Sequence, residues 1–149
     1  MPTDHIKQWQ HNRAFISTID PQFPDWAVTA SFYTALHAID ALLKHDKAEG
    51  ITTHAARNDT LMRTSRYEFI WRNYQPLYGL ARTIRYLAKP IRWVPWKQIE
   101  TEVFRRYLYP LERSAFKLMG IADVPAPITM KAPPEVRKSP PPDPSPFPA

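Results

Sequence analysis

The sequence predicts an all-α protein: an up-and-down bundle of four to five helices over residues 1–120, with a proline-rich tail over residues 121–149. Three observations predict it. Apolar residues recur at helical spacing in successive runs of the first 120 residues. Prolines and short polar stretches separate those runs, while only 3 glycines occur in 149 residues. Nothing before residue 120 reads as a pair of strands.

The first helix is expected from about Asp4 to Ile19, with Ile6, Trp9, Ile16 and Ile19 near one face. Asp20-Pro21-Gln22-Phe23-Pro24 breaks it. Asp25 is the expected N-cap of a second helix running to about Lys47, since its carboxylate can accept free amides of the first turn. Phe32, Leu36, Ile39 and Leu43 form that helix's core stripe. Trp26, Tyr33, His37, Asp40 and Lys44 lie on the neighbouring stripe. Gly50 sits in the following loop, and Thr53 is placed to cap a short third helix from His54 to about Arg63.

Ser65-Arg66-Tyr67-Glu68 has the capping-box pattern and is expected to open a fourth helix reaching about Ala88. Its core stripe is Ile70, Tyr74, Leu77, Ala81 and Ile84. Pro76, inside that span, is expected to kink or split it. A fifth helix is expected from about Trp96 to Met119 on Ile99, Val103, Tyr107, Leu111, Ala115 and Leu118. Pro110 predicts another kink, and Gly120 suits a C-terminal cap.

Ten of the 17 prolines fall between Pro125 and Pro148. A segment so poor in amide donors and apolar surface is expected to be disordered or extended as polyproline II. It reads either as a solubilising tail or as a docking segment for a protein partner through residues 125–149.

The chain carries 20 Lys and Arg against 14 Asp and Glu, a formal net charge of +6. In the tail, Lys131, Arg137 and Lys138 balance Asp123, Glu135 and Asp143, so the whole excess sits on residues 1–120. A basic body favours a polyanionic partner, with nucleic acid the usual candidate. There is no cysteine, hence no disulfide framework and no thiolate metal site. No apolar run approaches the roughly 18–20 residues that span a membrane, and the N-terminus lacks the apolar core of a signal peptide. These features predict a soluble cytoplasmic protein without membrane association.

Two clusters can carry chemistry. His37 and Asp40 stand one turn apart, so their side chains can meet; a carboxylate there would fix the imidazole tautomer and raise its pKa. The same pair equally suits a self-satisfied polar contact in a core or at a dimer seam, and Tyr33 lies one turn earlier on the same stripe. His54 and Arg57 are also one turn apart. The Arg can hold phosphate oxygens while the His moves a proton, or the pair can simply form a solvated helix start. On the fourth helix, Tyr78, Arg82, Arg85 and Tyr86 interleave cations with aromatics. That pattern suits backbone phosphates and unpaired bases, and also ordinary core aromatics flanked by solvated arginines. No Gly-rich phosphate loop, nucleophile turn or metal-ligand spacing is present, so neither cofactor nor metal is predicted.

Tyr33-x-x-x-His37-x-x-x-Ala41-Leu42, a glycine-containing linker, Thr53-His54-x-x-Arg57, and Tyr74-x-x-Leu77-x-x-x-Ala81-Arg82-x-x-Arg85-Tyr86 resemble, in that order, the HEPN superfamily. The resemblance covers about residues 25–88 and excludes the tail. It implies an up-and-down helical bundle that forms a homodimer. Many members are metal-independent ribonucleases of defence, toxin–antitoxin or CRISPR-associated systems. Their signature is an Arg, a polar residue and a His four to six residues after the Arg. Arg57-Asn58 matches its start, but Leu61, Met62 and Arg63 occupy the His positions, and no His follows His54. The resemblance therefore implies an RNA- or nucleotide-binding module, with His54 and Arg57 holding phosphate beside Arg82 and Arg85. Tyr33, His37, Asp40 and Asn58 would support that site. Two alternatives stay open: an active ribonuclease using His54 and Arg57, and an adaptor subunit docking through its tail.

Overall fold

The computed structural model describes residues 3–86, 96–123 and 126–129. The described residues form a bundle of five helices without strands, as the spacing predicts. These are α1 (Thr3–Ile16), α2 (Pro24–His45), α3 (His54–Arg63), α4 (Glu68–Tyr86) and a fifth helix, α5. A 3₁₀ turn, Ser65–Tyr67, leads into α4.

The sequence of α2 makes it the central helix. Ala27, Ala35, Ala38 and Ala41 are fully buried, and so small a side chain lets neighbouring backbones approach closely. Phe32, Ile39 and Leu42 fill the spaces between. The helix accordingly touches α1, α4 and α5. Its buried hydroxyls turn back on their own helix: Ser31 donates to the Ala27 carbonyl at 2.7 Å and Thr34 to the Ala30 carbonyl at 2.7 Å. Neither hydroxyl then needs a partner on a neighbouring helix.

Several helix ends differ from expectation. Pro24, not Asp25, opens α2, with Phe23 at the N-cap and no side-chain cap. Proline suits the first turn because its missing N–H would have no partner there, so Asp25 serves as a first-turn anion instead. Thr53 caps α3 as expected, accepting from the Ala56 amide at 3.1 Å. Ser65 does not cap α4: it starts the 3₁₀ turn, and Glu68 reaches forward to Arg72 at 3.3 Å. Pro76 lies within α4 and does not split it.

α5 runs without a break through an α turn (Trp96–Gln98), a π-helical stretch (Ile99–Leu108) and a second α stretch (Tyr109–Leu118). Pro110 explains the irregular winding, since it lacks an N–H and its ring crowds the carbonyl four residues earlier. Widening the preceding turns makes room, and Tyr109 accordingly bonds back five residues to the Phe104 carbonyl. The wide winding also moves the buried face. Phe104 and Leu108 are buried where the regular period predicts Tyr107. Gly120, at φ 75°, closes α5: its amide reaches the Lys117 carbonyl and the Ile121 amide reaches Phe116 at 2.9 Å.

Just beyond, Ile128 is buried against the core and the Ala126 carbonyl accepts from Arg13 at 2.6 Å. This start of the tail therefore packs on the bundle. Residues 130–149 lie outside the described residues, as does the stretch between α4 and α5.

Candidate functional site

α2, α3 and α4 bring most of the predicted residues to one place. Thr53 starts α3 so that His54 and Arg57 share a face turned toward α2. Arg57 is 6% exposed, and its fork grips Asp40: Nε donates to Oδ1 at 2.7 Å and Nη2 to Oδ2 at 3.0 Å. A planar guanidinium matches a carboxylate in this two-bond geometry. Burial opposes the Arg57 charge, but the Asp40 bonds and charge outweigh it and raise the pKa.

The third Arg57 nitrogen contacts the Nδ1 atom of His54 at 3.3 Å. A guanidinium only donates, so Nδ1 must be the acceptor and the ring proton must sit on Nε2. Desolvation, then the charges of Arg57 and Arg85, lower the His54 pKa against the opposing pull of Asp40. His54 is thus a neutral imidazole that offers a donor at Nε2. Its ring packs 5.9 Å from Phe32 and 5.9 Å from Tyr78, yet the residue is exposed.

α4 supplies the cations beside it. Arg85 donates to the Tyr33 hydroxyl at 2.9 Å and lies over the rings of Phe32 and Tyr33, 5.5 and 5.8 Å from their centroids. Arg82 lies 5.7 Å over the Tyr78 ring. Both arginines are exposed. Tyr86 ends α4, and its side chain lies outside the described residues. Beneath them Tyr74 is fully buried beside Arg57, and burial pushes its phenol well above the usual range.

The remaining predicted residues stand elsewhere. Asp40 does not pair with His37: it is taken by Arg57. His37 instead meets His5 of α1, Nδ1 to Nδ1 at 3.3 Å, so one ring donates and the other accepts. Its pKa is lowered, not raised, chiefly by burial and then by His5, with Asp40 opposing. Asn58 follows Arg57 but joins neither pair; its Oδ1 is buried without a hydrogen-bond partner among the described residues. His5 lies in a polar stretch of α1 whose spacing carries no sign of this contact.

These shifts fix the sign of a pH dependence. Both His37 and His54 have folded pKa values below the ordinary 6.5, so below about that pH the unfolded chain binds more protons than the folded one. Their contribution is complete above about pH 6.5 and is lost as pH falls through the lowered folded values. Asp46 adds a second step. Burial raises its pKa, but hydrogen bonds from Arg66, Tyr67 and His45 prevail and hold it at about 2, against 3.8 ordinarily. Its contribution is lost between about pH 4 and about 2. The histidines should therefore lower thermal midpoints below neutrality, and His37→Asn should flatten the profile between pH 7.5 and 5.5; the same profile in parent and variant would contradict this.

Among the described residues, no group of three or more His, Cys, Asp or Glu is placed to hold a metal ion. No described helix is long and apolar enough to cross a membrane. Compared with family models, curated proteins and solved structures, the chain has no match.

Proposed function

We propose that this protein is a HEPN-like, homodimeric RNA- or nucleotide-binding module of a defence, toxin–antitoxin or RNA-processing system. Its ligand's phosphates would lie across His54, Arg82 and Arg85. The observation that carries this reading is the Asp40–Arg57–His54 chain of hydrogen bonds. It fixes His54 as an Nε2–H donor on a face shared with two exposed arginines, which is what a phosphate oxygen requires. The surplus charge of +6 supports the same partner.

The same geometry favours binding over general-base catalysis at His54. A general base needs a free nitrogen lone pair, and the His54 lone pair at Nδ1 is directed at Arg57. With EDTA present, the purified protein is expected to bind single-stranded RNA without cleaving it.

Binding across a salt series tests the proposal. Affinity should fall as salt rises, with a log–log slope of about −0.7 per phosphate contacted. Replacing both Arg82 and Arg85 by glutamine should weaken binding at least tenfold and flatten that slope by about 1.4, twice the single-contact value. No detectable RNA affinity at low salt would end this reading. Sedimentation of the free and bound protein reports the dimer.

A further inference from the structure

A groove of about 340 Å³ opens between α1 and α2, beside the cationic face. Its walls are aromatic: Phe15 is 49% exposed, Trp26 58% and Tyr33 37%. Three large rings exposed along one groove form an apolar surface that a ligand can cover. Gln8 and Asn12 also line it. Gln8 Nε2 donates to Asn12 Oδ1 at 2.9 Å, which leaves a carbonyl oxygen on Gln8 and an amide N–H₂ on Asn12 for a ligand.

We infer that this groove is a base-stacking subsite for an unpaired nucleobase of single-stranded RNA. The inference rests on the phosphate-binding reading above and extends it. Tyr33 joins the two places: its ring lines the groove, and its hydroxyl accepts from Arg85. A base between Trp26 and Tyr33 would leave its own phosphate, one sugar away, at Arg85 and His54. An aromatic platform next to a cationic track is the recurring design for single-strand binding, since every base offers a π-face. The Gln8–Asn12 pair offers one acceptor and one donor, which any base edge can meet, so the subsite selects unpaired bases with little preference among them. A second copy of the chain is the rival occupant of an apolar groove. Arg85, bonded to Tyr33 at this rim, favours a polyanion here over a second basic body, so the proposed homodimer would use another face.

The test compares a single-stranded RNA oligomer with an oligomer of the same length made of abasic ribose phosphates, by fluorescence anisotropy on the full chain. RNA should bind about tenfold tighter or more. Trp26→Ala should remove that difference and leave the abasic affinity unchanged, Trp26→Phe should largely restore it, and Arg85→Gln should weaken both ligands. Thermal melts check that the variants fold. Equal affinity for the two oligomers, with Trp26→Ala silent, overturns the subsite and leaves the phosphate site standing. Binding of neither oligomer overturns both. A Trp26→Ala variant that turns a dimer into a monomer assigns the groove to a second copy and overturns the subsite.

Discussion

Replacing Arg13 by alanine is expected to destabilise the fold by about 3–5 kcal/mol, the range for stranding one member of a buried ion pair. The partner is Glu112, whose side chain is 1% exposed on α5. Arg13 Nη1 donates to both of its oxygens, and the Trp9 indole N–H donates to it at 2.6 Å. Arg13 also lies 5.3 Å over the Trp9 ring and bonds the Ala126 carbonyl. One side chain thus joins α1, α5 and the start of the tail. Burial pushes the Glu112 carboxyl up against the pull of Arg13 and Trp9. The folded chain therefore binds a proton there more readily than the unfolded chain, and the loss in the variant should shrink as pH falls and the stranded carboxylate is neutralised. Denaturant midpoints at unchanged slope measure the effect. The double replacement Arg13→Ala with Glu112→Leu should recover much of the loss, because an apolar pair needs no counter-charge. A double variant as unstable as Arg13→Ala alone would contradict this account.

Asp40→Ala is the second large effect. It leaves the buried Arg57 with His54 as its remaining hydrogen-bond partner of this chain of contacts, and should cost about 3 kcal/mol, the low end because α3 lies at the edge of the bundle. It also releases the Arg57 fork. His54 is then held by a guanidinium that no carboxylate orients, so its tautomer is less firmly fixed, and RNA affinity should fall although Asp40 itself carries the wrong charge to touch phosphate. Arg57→Ala should lose a similar amount. The two losses should not add: a double-mutant cycle is expected to give a coupling of about 1–3 kcal/mol. Additive losses would mean that Asp40 and Arg57 act separately.

The bundle was legible because burial repeats locally. Phe32, Leu36, Ile39 and Leu43, and Ile70, Tyr74, Leu77 and Ala81, are all buried as their spacing predicts. The π stretch was not, since its cause is one proline acting on the turns before it and its effect is a shifted face. His54 and Arg57 were legible as a pair because one helical turn separates them. Asp40 was assigned to His37 by the same local rule, but Arg57, 17 residues on, reaches it once α3 packs on α4. A bidentate guanidinium out-competes a neutral imidazole for a carboxylate. Contacts across helices, such as His5 with His37, leave no periodic trace. Glu112 left one: it stands four residues after Leu108 and three before Ala115, an acid on a buried stripe. A charge in that position signals a buried partner.

The most direct measurement is the titration of the His54 imidazole by long-range ¹H–¹⁵N NMR, with and without single-stranded RNA. The free protein should show the Nε2–H tautomer with a pKa below the ordinary value, and saturating RNA should shift the ring signals and raise that pKa, because a phosphate beside the ring favours its protonated form. An Nδ1–H tautomer in the free protein, or ring signals and a pKa that saturating RNA leaves unmoved, would contradict the account.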